Sequence, residues 1–132
     1  MLKKENKTKL EIGLEIRREL SGDKVVDDAF GDPDDLSLPM EELVTEFAFG
    51  AVWSRPGLDR KSRSILNIGL LAVLNRPSAL AGHIKIGLRN GLTKNEICEC
   101  LLQVAAYAGL PAGLDGIKVA KLAFDEIDAM KR

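Results

Sequence analysis

Apolar residues along this chain recur mostly at spacings of three and four, the period of an amphipathic helix. Leu10, Leu14, Ile16 and Leu20 predict a first helix over about Lys4 to Leu20, ended by Ser21-Gly22. The stretch from Asp27-Asp28 to Asp32-Pro33-Asp34-Asp35 is acidic and turn-forming, and reads as a solvated connector. Its spacing lacks the central glycine and closing glutamate of a calcium loop. A second helix is expected from about Pro39, with Ser37 or Leu38 just before it and Glu41-Glu42 in its first turn, where carboxylates suit the helix dipole. It carries Leu43, Val44, Phe47 and Phe49, and should fray between Gly50 and Pro56.

Start and stop signals organise the remainder. Asp59 is a good N-cap for a third helix through about Leu74. Pro77 is placed to open a fourth, which runs through His83 to Asn90 and stops at Gly91. Thr93-Lys94-Asn95-Glu96 spells a capping box and opens a fifth helix through about Ala108. Gly109 to Gly113 breaks the chain again, before a sixth helix over roughly Ala112 to Met130. No β-alternation of useful length is present. The pattern therefore predicts an all-α single domain of about six helices over residues 1–132. Its core spans about 39–128, preceded by an N-terminal helix and acidic connector over 1–38.

The middle helices are rich in Gly69, Ala72, Ala79, Ala81, Gly82, Ala105, Ala106 and Ala108, and several of their faces are apolar at once. Such helices must be buried centrally or against another subunit. A chain of 132 residues has trouble covering several of them, so a homo-oligomer with closed symmetry is expected.

Charge narrows the classes of partner. Nineteen basic and twenty acidic residues leave a formal charge of -1, no electrostatic ground for nucleic acid or an anionic membrane. Met1 to Lys9 is polar and lysine-rich with no apolar run after it, unlike a secretory signal. The longest mostly apolar run, Ile65 to Leu74, is interrupted by Asn67 and is too short to cross a bilayer. A cytoplasmic protein is expected. Cys98 and Cys100 fit that location, being too few and too close for a disulfide framework.

Three blocks, in order, carry a resemblance. Val52-Trp53-Ser54-Arg55-Pro56-Gly57-Leu58 continues into Asp59-Arg60-Lys61-Ser62-Arg63-Ser64-Ile65. Ala79 through His83 to Asn90-Gly91-Leu92-Thr93 sets one histidine eight residues before a glycine. Glu96-Ile97 is followed by Leu101-Leu102-Gln103-Val104-Ala105-Ala106-Tyr107-Ala108-Gly109-Leu110-Pro111-Ala112. Together, over about Pro39 to Phe124, these resemble the carboxymuconolactone decarboxylase family. The resemblance implies the helical fold of the alkylhydroperoxidase D-like superfamily, usually assembled as trimers or hexamers. The peroxidase branch of that superfamily uses a Cys-x-x-Cys-x-x-x-His motif. With its histidine placed on His83, the two cysteines fall on Arg76 and Ala79, and its activating glutamate falls near Ser64. Cys98 and Cys100, two apart on a helix, point to nearly opposite sides and do not replace the pair.

The family's named reaction removes CO2 from 4-carboxymuconolactone to give the 3-oxoadipate enol-lactone, a step of aromatic-compound degradation. The unsaturated lactone is its own electron sink, so no cofactor or metal is expected. The protein has to hold a small anionic lactone, stabilise a developing oxyanion and deliver one proton to carbon. His83 takes the acid or oxyanion-donor role by its motif position; a hydrogen-bonded core histidine is the competing reading. Arg55 and Arg63 are candidates for the substrate carboxylates, against surface or inter-subunit ion pairs. Glu46 could orient His83 or relay a proton, Trp53 could wall the pocket, and Tyr107 could donate its hydroxyl. For those three, ordinary exposure or packing is the competing reading. The alternatives at the level of function are a related member acting on another small acid or lactone, a catalytically silent member and, less favoured, a thiol peroxidase.

Overall fold

The computed structural model describes residues 6–131, and every described regular element is helical. The Lys4 and Glu5 positions of the expected first helix lie outside the described residues. The chain divides into two units, one ending at Leu58 and the other beginning at Asp59.

In the first unit, α1 (Lys9–Ser21) starts where Thr8 and Glu11 form a capping box. The Glu11 amide donates to the Thr8 hydroxyl at 3.1 Å, and the Thr8 amide donates to the Glu11 carboxylate at 3.3 Å. The acidic stretch is only partly the connector that its composition suggests, because Asp23–Phe30 forms a helix, α2. Its lone buried residue, Val26, packs into the unit, while Lys24 pairs with Asp28 one turn on. One apolar anchor and a fitting charge pair outweigh the turn-forming aspartates.

α3 (Leu38–Val44) then runs directly into a π-helical segment, Thr45–Trp53. The helix ends at Trp53, within the expected window of Gly50 to Pro56, but Gly50 itself does not fray. Gly50 is instead a packing position. A Cβ there would lie 2.2 Å from the Lys9 carbonyl oxygen, and one on Gly13 would lie 2.0 Å from that of Thr45. Two glycines without side chains let α1 and the π-helical segment cross backbone to backbone.

The second unit holds α4 (Arg60–Val73), α5 (Pro77–Arg89), α6 (Lys94–Ala108) and α7 (Leu110–Met130). Its boundaries follow the signals in the sequence. The Asp59 carboxylate accepts from the Ser62 amide at 2.7 Å, and Thr93 and Glu96 exchange the two capping-box bonds at 3.0 Å each. Gly109 closes α6 at φ 109°, but the expected break does not extend to Gly113. Pro111 is tolerated in the first turn of α7. Gly113 sits inside that helix, where a Cβ would meet the Ala105 Cβ at 2.6 Å. The described residues thus form seven α-helices and one π-helical segment, not six helices. Ile68, Leu80, Ile84, Ile97, Leu101, Ala120 and Ala123 make up the centre of the second unit.

Candidate functional site

His83 lies on α5, on a face shared with the buried Leu80, Ile84 and Gly87. Its surroundings are built by the pairing of α4 with α5. Gly87 faces α4 across ordinary packing distances, since a Cβ there would sit 3.4 Å from Ile68 Cδ1 and 3.6 Å from Ser64 Cβ, and only the Leu92 Cδ1 end, at 2.9 Å, would have to shift. Asn90, at the C-terminal end of α5, donates its amide to the fully buried Ser64 hydroxyl at 2.9 Å and to the Arg60 carbonyl at 3.4 Å. These contacts fix the register of the two helices. About one turn further along α4 and two turns back along α5, Asn67 Nδ2 lies 3.4 Å from His83 Nδ1. His83 is half-buried, and burial holds its pKa below the ordinary histidine value, favouring the uncharged ring.

Asn67 was not among the residues singled out from sequence. Its signal was present, however, as the one polar side chain that interrupts the Ile65–Leu74 run. Arg63, one turn before Asn67 on α4, shares its side of the helix and is half-buried. Tyr107 stands 87% exposed at the end of α6.

The candidates on the first unit differ among themselves. Trp53 is 7% exposed and stacks on Phe49, ring centroids 6.4 Å apart and planes 15° from parallel. The Arg17 guanidinium lies 5.5 Å from the centre of the Phe49 ring. Arg17 Nη1 donates to Glu41 Oε2 at 2.6 Å and to the Thr45 hydroxyl at 3.0 Å, and that hydroxyl donates to the Glu41 carbonyl at 2.7 Å. Trp53 thus closes a packed series that starts at Arg17, a residue with no distinguishing mark in the sequence. Glu46 and Arg55 are exposed.

Cys98 and Cys100 are free and half-buried, and burial pushes the Cys100 thiol up, away from the thiolate that dithiol chemistry needs. Among the described residues, no group of three or more His, Cys, Asp or Glu side chains is placed to hold a metal ion. No helix of the described residues is long and apolar enough to cross a membrane.

Residues 39–122 match the carboxymuconolactone decarboxylase family, and with the helical architecture they place the chain within it: this protein belongs to that family. The match takes in α3, the π-helical segment and the α4–α5 pair that carries His83. The chain is 37% identical over 115 residues to the 4-carboxymuconolactone decarboxylase of Acinetobacter baylyi, covering 87% of this chain and 86% of that protein. It is 35% identical over 115 residues to a nitrosuccinic acid decarboxylase of Metarhizium robertsii, covering 87% of this chain and 80% of that one. An uncharacterized 15.0 kDa protein of Paracoccus denitrificans is 36% identical over 95 residues, which is 70% of this chain and 69% of that protein.

Proposed function

We propose that this chain, a carboxy-lyase by family, removes CO2 from 4-carboxymuconolactone without a cofactor, in the degradation of aromatic compounds. The observation that carries the reading is His83: it falls inside the family match and stands half-buried on a helix whose register is pinned. As the carboxylate leaves, the electron pair of the breaking C–C bond moves through the unsaturated ring onto the lactone carbonyl oxygen. An uncharged His83 is suited to donate a hydrogen bond to that oxyanion, an interaction that in preorganised sites contributes about 3–4 kcal/mol. One proton then reaches carbon as the oxyanion collapses. Arg63 and Arg55 are proposed to meet substrate carboxylates, Trp53 and Tyr107 to contact the substrate, and Glu46 to serve proton relay.

A second reading is favoured by one specific finding, the similarity to a nitrosuccinic acid decarboxylase. A nitro-substituted dicarboxylate and a carboxylated lactone share one feature: the electron pair left by CO2 can settle on oxygen. An oxyanion donor serves both, so another small acid is the alternative substrate class.

Assembly is part of the proposal. On α4, Leu66, Leu70 and Val73 are exposed at helical spacing, on the side away from the buried Ser64, Ile68 and Ala72. Leu110 and Leu114 repeat the pattern on α7. Exposed apolar stripes of this kind suit a homotrimer or homohexamer, which would cover them.

A spectrophotometric assay of the purified protein with 4-carboxymuconolactone, run beside nitrosuccinate, tests the substrate. Lactone turnover that survives thiol alkylation is expected. Turnover of nitrosuccinate alone would move the assignment to the second reading, and turnover of neither would remove both.

A further inference from the structure

The amide that interrupts the apolar run of α4 has a consequence for the ring it faces. Asn67 is half-buried, and polar groups removed from water are held in place by their hydrogen bonds. Its Nδ2 lies 3.4 Å from His83 Nδ1, across a helix pair whose register is set by the Asn90–Ser64 bond. An amide nitrogen only donates. The ring nitrogen opposite it must therefore accept, and a neutral imidazole with one accepting nitrogen carries its proton on the other. An imidazolium would set N–H against N–H at this contact.

We propose that Asn67 is a positioning residue, whose amide holds His83 Nδ1 as an acceptor and so fixes the imidazole proton on Nε2. The inference rests on the reading of His83 as an oxyanion donor, and it says which nitrogen donates. It also gives a reason for an amide at this position. Aspartate, of nearly the same shape, would accept from Nδ1–H, place the proton on the wrong nitrogen and favour the charged ring. Burial of His83 acts in the same direction as the amide, towards the neutral form.

His83 is the only histidine of the chain, so its ring gives a single, unambiguous set of nitrogen signals. Long-range 1H–15N correlation spectra of the 15N-labelled full chain, recorded above the ordinary histidine pKa, read the tautomer directly. The wild type is expected to show a protonated Nε2 and an unprotonated Nδ1. In Asn67→Leu both signals should shift towards the average of the two tautomers, and in Asn67→Asp the proton should move to Nδ1. For Asn67→Leu, kcat on the lactone should fall roughly tenfold or more while KM holds, because the residue acts through His83 and not on substrate. A protonated Nδ1 in the wild type would overturn the proposal, as would a wild-type pattern or an unchanged kcat in Asn67→Leu. Should Asn67→Leu not fold, the wild-type spectrum and Asn67→Asp still decide it. The expected spectra without lactone turnover would support the tautomer assignment and count against the substrate alone.

Discussion

Each of the two units of this chain is stabilised internally by different means. In the first, α1 and the π-helical segment touch through backbone at Gly13 and Gly50, and Arg17 ties Glu41, Thr45 and the Phe49 ring together beside them. In the second, helices α4 to α7 share an apolar cluster centred on Ile68, Ile84, Ile97 and Leu101, and the Asn90–Ser64 and Asn67–His83 pairs join α4 to α5. A backbone crossing tolerates no added atom, whereas an apolar cluster tolerates change in proportion to the volume lost. Substitutions that add atoms should therefore hurt the first unit most, and those that remove them the second.

The largest effect is expected from Gly13→Ala. Its new methyl would fall 2.0 Å from the Thr45 oxygen, and backbone cannot step aside as a side chain can. A loss of more than about 3 kcal/mol should appear in urea unfolding, with hydrogen-exchange protection falling first over residues 9–53. Gly69→Ala is the control: a Cβ there meets nothing within 4 Å, and a helical Gly→Ala change stabilises by roughly 0.5–1 kcal/mol. Next is Leu101→Ala, which empties the centre of the second unit and should cost about 3 kcal/mol, with exchange rising first over residues 60–130. Arg17→Ala should cost about 2 kcal/mol through the lost charged hydrogen bonds, and should alter the fluorescence of Trp53, the one tryptophan. If Leu101→Ala loosened residues 9–53 as much as its own unit, the contrast between the two would fail.

The smallest effect is a pH response. Burial lowers the folded-state pKa of His83, so stability present above the ordinary value of about 6.5 is lost as pH falls through the lowered one. The cap carboxylates of Asp59 and Glu96, lowered by their hydrogen bonds to backbone amides, titrate in a more acidic window. Exchange over residues 60–130 should thus quicken modestly on acidification below about pH 6, before those caps protonate, and His83→Gln should remove that early phase.

The same contrast explains how much of the molecule was legible in the sequence. The second unit is punctuated by local chemistry: Asp59 as N-cap, Pro77 at a helix start, left-handed Gly91 and Gly109, and the Thr93–Glu96 box all act where they stand. The first unit depends on tertiary contact. α2 hides one buried valine among aspartates, and the π-helical segment is continuous through a glycine that reads as a breaker. The Thr8–Glu11 box was readable, yet the apolar spacing alone drew the helix start back to Lys4. At the candidate site, His83 was legible from its position in the motif that resembles the family. Asn67 showed as a polar interruption whose partner only the pairing of α4 and α5 supplies. Arg17 carries no local signal, because its three partners lie 24 to 32 positions away.

An uncharged His83 is proposed to stabilise the charge that CO2 leaves behind. The most direct test is kcat on 4-carboxymuconolactone for wild type and His83→Ala, with circular dichroism and oligomer size matched. The variant should fall by about 10²–10³-fold, and the wild-type rate should hold through neutral pH and decline as acid charges the ring. An unchanged rate in His83→Ala, or a wild-type rate that rises as the histidine protonates, would contradict this role of His83.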